Sequence, residues 1–154
     1  MARKVQIRDY QAVQPRSRTN TGTATAIPRA PRRLRLATIR LTVPSGTTTG
    51  RRNTVELLAT VGVKGVRNIA QLVFRVLRDN VEIFRTQQGV ESTGSEQFYT
   101  VALQAIDLNP RAGTHSYTLT VENATANSTA QVVGPINLSG KVIERSTTTT
   151  TTTA

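Results

Sequence analysis

The chain has 154 residues, the length of one ordinary domain, with 37% apolar residues and no cysteine. The missing thiols exclude disulfides, thiolate catalysis, zinc–thiolate sites and iron–sulfur clusters together. The net charge of +11 is lopsided, since residues 1–52 hold twelve Lys/Arg against Asp9 alone while residues 53–154 hold eight of each sign, and this predicts a basic arm on a neutral domain.

Residues 1–10 are positively charged but lack the apolar run of a secretory signal. No stretch of the chain reaches the roughly 18 apolar residues of a membrane helix, so no membrane partner is expected. Pro15, Pro28 and Pro31 each remove a backbone donor and steer the preceding residue away from helix. Residues 1–33 therefore read as an extended arm. Val5, Ile7, Tyr10, Val13 and Ile27 are its apolar anchors, and Arg29, Arg32, Arg33 and Arg35 are its basic cluster.

From Leu34 the pattern has period two. Leu34 and Leu36 occupy even positions, and Ile39, Leu41 and Val43 odd ones; the slip at Ala37-Thr38 predicts a bulge or a bend. Pro44–Gly50 is a turn cluster. Val55, Leu57, Ala59, Val61 and Val63 then mark a long half-buried strand whose alternate positions include Glu56 and Leu58. Runs 71–78 and 81–85 flank Asp79-Asn80, two residues that tolerate positive φ, and this is a hairpin signal. Strands over 98–106, 117–121, 130–133 and 136–143 complete the set, the last two divided at Gly134-Pro135. No segment has helical periodicity. About eight short strands at spacings near ten residues predict an all-β fold, an antiparallel β-sandwich of the eight-stranded jelly-roll kind with an extended N-terminal arm. The expected division is arm 1–33, sandwich 34–145, and a threonine-rich tail 146–154 that cannot form a core of its own. The expected core includes Val55, Leu57, Val61, Leu72, Phe74, Val76, Leu103, Tyr117, Leu119 and Val121.

Chemistry is sparse. His115 is the one histidine, placed where a loop enters a strand, and it reads as a residue hydrogen-bonded to backbone. The acids form no recognisable pair for glycoside chemistry. Gly62-Val-Lys-Gly65 lacks P-loop spacing. No catalytic residue, metal ligand or cofactor is expected, and the chain reads as a non-enzyme.

The series Val55–Val63, Leu72–Asp79, Ile83–Gly89, Glu96–Thr100, Ile106-Asp107, Ala112–Val121 and Val133–Pro135 resembles the small spore-surface proteins of Bacillus-type bacteria known as exosporium protein C. The resemblance covers about residues 50–143. It implies a structural component of the outer spore layer or of a surface filament, reached without a signal peptide, whose partners are copies of itself and other spore-surface proteins. The apolar anchors of the arm would then link subunits by adding a strand to a neighbour's sheet. Two alternatives stand beside this. A basic arm ahead of a jelly roll is also the plan of a viral coat protein, whose arm binds RNA inside the virion. A sandwich can likewise serve as a carbohydrate-binding module.

Overall fold

In the computed structural model, residues 2–45, 52–94 and 96–148 are described. Among these residues, nine antiparallel strands form two packed sheets: β1 (Ala2–Arg16), β2 (Thr25–Ala26), β3 (Leu34–Val43), β4 (Arg52–Arg67), β5 (Ala70–Arg78), β6 (Val81–Val90), β7 (Phe98–Leu108), β8 (Gly113–Asn123) and β9 (Thr129–Thr148). One sheet runs β1-β9-β4-β7, with β2 also paired to β9, and the other runs β3-β8-β5-β6.

The pairings β1–β9, β3–β8, β4–β7 and β5–β6 are nested. The chain is thus one long antiparallel hairpin rolled into two layers, which is the jelly-roll plan. Its tip is Asp79-Asn80, with φ of 48° and 69°. Both central residues of a two-residue turn with left-handed φ twist with the strands instead of splaying them.

The core lies between the layers. Every core residue expected from the alternation is buried, Phe74, Leu57, Leu72, Tyr117 and Leu119 completely. Each such large side chain contributes about 1.5–3 kcal/mol by leaving water. The slip in β3 is a bulge, with the register shifting between Arg35 and Ala37, so that Leu36 and Ala37 are buried in succession. The only helical element among the described residues is a single 3₁₀ turn, Thr21–Thr23.

Three expectations need correction. The expected arm 1–33 is, over its described residues 2–33, not outside the domain: β1 pairs along its length with β9 of the same chain. The stretch after it is tied down as well, with Asn20 N donating to Val133 O at 2.8 Å, Ile27 N to Ala130 O at 3.0 Å and Ala30 N to Asn123 O at 2.9 Å. The alternation in β1 is inverted and broken. Val5, Ile7 and Tyr10 are 60, 64 and 59% exposed, and bulges interrupt the register at Arg8 and at Gln14-Pro15, so the segment does not look like a strand with a buried face.

The second correction concerns β9. Gly134-Pro135 does not divide two strands, because β9 runs through it from Thr129 to Thr148. The ladder with β4 only shifts register there, between Val61 and Val63. Gly134 takes φ +84°, and its carbonyl oxygen lies where a Cβ on Gly62 would sit, 1.8 Å away. Two glycines let the backbones cross where side chains could not fit. The eight long strands therefore include β1 and count β9 once.

The third concerns the end of the domain. It continues through Thr148 rather than stopping at residue 145. Residues 149–154 of the expected tail and residues 46–50 of the expected turn lie outside the described residues.

Candidate assembly surfaces

The two sheets differ in the chemistry they present to solvent. The outer face of β3-β8-β5-β6 is polar and ionic. Arg75 Nε donates to Glu122 at 2.5 Å and Arg75 also holds Glu82, while Arg33 lies 3.6 Å from Glu122. Thr38 and Thr118 pair their hydroxyls across strands at 3.1 Å, as do Thr42 and Thr114 at 2.9 Å.

The outer face of β1-β9-β4-β7 carries several large exposed apolar side chains set among polar and charged ones. Cross-strand register sets Ile7 beside Ile143, and Tyr10, Lys141, Glu56 and Ile106 in one row. Leu58 is 52% exposed, Ile106 51% and Leu108 76%. The ion pair Lys141–Glu56, at 3.5 Å, sits among these side chains, and Tyr10, Glu56, Leu58 and Lys141 line a shallow depression of about 160 Å³.

The residues expected in the arm now divide by role. Val5, Ile7 and Tyr10 belong to this outer face. Val13 packs against the core and Ile27 is buried within it, so these two hold the domain together. Arg29 donates to Asn123 O at 2.9 Å and Arg33 faces Glu122, which fixes the segment before β3. Arg32 and Arg35 are exposed. The fold brings the basic residues of β1 and β3, from the first third of the chain, to one flank, because β1 and β3 are adjacent edges of the two sheets. Asp9, its sole acid, closes that flank by accepting from Thr42 N at 2.8 Å and from Tyr10 N at 2.9 Å.

Leu58, Ile106, Leu108 and Ile143 were not singled out as surface residues by sequence reasoning. The signal was an apolar residue at a polar position of an alternating strand, visible at Leu58. It acquires meaning only when register aligns four strands.

His115 joins two loops. Its Nδ1 lies 2.5 Å from Asp79 Oδ2 and its Nε2 2.7 Å from the Arg111 carbonyl oxygen. Both partners are acceptors, an arrangement that favours the protonated ring, which donates from both nitrogens. Burial pushes its pKa down, but the hydrogen bonds to Asp79 and Arg111 O outweigh this and leave it above the ordinary histidine value. Asp79 is correspondingly held below the usual carboxylate range by His115, with help from Ser116 N. This dyad is spent on tethering the β5–β6 turn to the β7–β8 loop. No cluster of three metal-ligating side chains occurs among the described residues, and no helix among them is long and apolar enough to cross a membrane.

No family model matches the chain, and no curated protein matches it. Solved structures with some likeness include the insecticidal delta-endotoxin Cry8Ea1 of Bacillus thuringiensis, at 10% identity and a TM-score of 0.39. That match covers 79% of this chain but only 19% of the toxin chain. Another is the CBM36-1 domain of a multidomain xylanase from the hindgut metagenome of Trinervitermes trinervoides, at 13% identity and a TM-score of 0.32, covering 92% of this chain and 100% of that one.

Proposed function

We propose that the chain is a structural subunit that self-associates, and that it does so in the outer layer or a surface filament of a bacterial spore. The observation that carries self-association is the set of large apolar side chains on the outer face of β1-β9-β4-β7, where Val5, Ile7, Tyr10, Leu58, Ile106 and Leu108 are each more than half exposed. Large exposed apolar side chains gathered on one face and rimmed by polar ones mark an interaction site. The spore placement rests on the resemblance of residues 50–143. Its test is light scattering and negative-stain electron microscopy of the full chain, with immunogold labelling of sporulating cells that carry the gene. Regular assemblies and label on the spore surface are the expected result. A chain that stays monomeric at high concentration overturns the reading.

A second reading is favoured by Arg32, Arg35 and Arg40, which are exposed on or beside the edge strand β3. They suit the phosphates of RNA, and the chain would then be a coat subunit. Native assemblies that absorb strongly at 260 nm, fall apart with nuclease and lose RNA steeply with salt would select it.

A further inference from the structure

Each sheet has two edges, and three of the four edges are defended. A strand edge offers unpaired N–H and C=O groups to any other strand, and proteins blunt it with charges, proline and bulges. β1 carries Lys4, Arg8, Arg16 and Pro15, with register breaks at Arg8 and Gln14-Pro15. β3 carries Arg35 and Arg40 and a bulge at Leu36. β6 carries Glu82 and Arg85, and Ile83 is the extra residue where its register with β5 shifts.

β7 has none of these. Over its eleven residues, Phe98–Leu108, there is no proline, glycine, lysine or arginine. Its ladder with β4 runs from Lys64↔Phe98 to Thr54↔Leu108 without a shift. The one charge, Asp107, points inward, where an unpaired charge would oppose pairing. Here it is already satisfied by Arg78 at 2.6 Å and the Tyr117 hydroxyl at 2.7 Å.

The direction of the free backbone groups follows from the bonds flanking β7. Asn109 N donates to Asn53 O at 2.9 Å and Gly65 N to Gln97 O at 2.9 Å. Both are hydrogen-bonded pairs at odd positions in the β4–β7 register. Such pairs alternate along an antiparallel ladder. The odd residues of β7 therefore bond to β4, and the N–H and C=O groups of Phe98, Thr100, Ala102, Gln104, Ile106 and Leu108 point out of the sheet. The side chains of the same six residues are all exposed on the outer face.

We infer that β7 is a homotypic docking edge, pairing antiparallel with β7 of a second copy about a two-fold axis at Leu103. This rests on the self-association reading above and names its contact. The axis at Leu103 is the register that overlaps all eleven residues, forming about twelve new backbone hydrogen bonds. It sets Phe98 against Leu108 of the second copy and Thr100 against Ile106. Aromatic–aliphatic and branched pairs of this kind stabilise adjacent strands. The axis also sets inner face against inner face, as the pleat requires, and it extends the outer face across both subunits. A defended edge would bring charge or a bulge into the new ladder, and β7 brings neither.

The native chain has no cysteine, so the register can be read by cross-linking full-length protein. Ala102 and Gln104 of opposite copies form a hydrogen-bonded pair, with Cα atoms about 5.5 Å apart, within disulfide reach. An equimolar mixture of Ala102→Cys and Gln104→Cys chains, one carrying an affinity tag, should oxidise mainly to the mixed disulfide. Oxidation mainly to either homodisulfide, or to none, overturns the pairing. Ala102→Pro deletes only an outward donor, a position where edge strands tolerate proline. It should reduce the smallest assembled unit to one chain of 16.7 kDa in light scattering, with the circular dichroism melt unchanged. Ala102→Lys should do the same without altering the backbone. If the native chain assembles and both variants assemble identically, the β7 edge is refuted while self-association stands. If the native chain never assembles, both fail.

Discussion

The buried hydroxyl of Tyr117 in β8 donates to Asp107 Oδ2 in β7 at 2.7 Å, and so ties one sheet to the other through the core. Arg78 of β5 donates to Oδ1 of the same carboxylate at 2.6 Å. A carboxylate that is only 5% exposed needs both donors. Tyr117→Phe should lower stability by about 1–3 kcal/mol, measured by urea unfolding at pH 7, because it removes one donor and leaves the acceptor buried.

Tyr117 also predicts an alkaline limit. Burial, then the bond to Asp107, raises its pKa far above the ordinary tyrosine value of about 10. A raised folded pKa means stability that is fully present below the unfolded pKa and is lost as pH rises beyond it. Tyrosinate absorbance from this residue should appear only together with unfolding, and never as a titration of the folded chain. Tyr117→Phe should remove that part of the alkaline destabilisation.

His115 gives a second pH dependence near neutrality. Its folded pKa is raised, so its contribution is complete below about pH 6.5 and declines as pH climbs through the folded value. Asp79, whose pKa is lowered, behaves in the opposite sense, and its contribution is lost as pH falls through its own folded value. The melting temperature of the native chain should therefore decline on the alkaline side of pH 6.5. His115→Ala should flatten that decline. An unchanged slope in the variant would show that the tether to Asp79 and Arg111 O does not govern it.

Deleting residues 2–16 separates an arm from a strand. An arm could be removed from an intact domain. β1, however, covers one side of β9 and places Val13 against the core. The truncated chain should show a lower melting temperature and aggregate, because the uncovered length of β9 becomes an open edge. Ile27→Ala should cost about 2–5 kcal/mol, since Ile27 is 7% exposed, whereas a side chain on a solvated arm would cost almost nothing.

The outer face should respond differently from the core. Leu58→Lys and Leu108→Lys replace exposed side chains, so each should change folding stability by no more than about 0.5 kcal/mol. Both should weaken assembly, measured by light scattering at fixed protein concentration. Loss of folding with retained assembly would place the role of these residues inside the subunit.

The sequence by itself determined the class of the fold and much of its interior. Period-two placement of apolar residues in β4, β5, β7 and β8 supplies each strand with a face that packs inward, and Phe74, Leu57 and Tyr117 lie on it. Asp79-Asn80 determined the hairpin because few residues accept positive φ in succession. The tertiary structure decided the membership of β1 and the chemistry of the surfaces. β1 has Val5, Ile7 and Tyr10 outward and two bulges, so little local pattern distinguishes it from a free extended segment; only the complementary edge of β9 makes it a strand. The gathering of apolar side chains on the outer face is likewise a property of register, because Ile7, Ile143, Leu108 and Leu58 are distant in sequence and come to one surface when three ladders align. The undefended edge of β7 is relational too: its residues become exposed backbone only because β7 has β4 on one side and, among the described residues, no strand on the other.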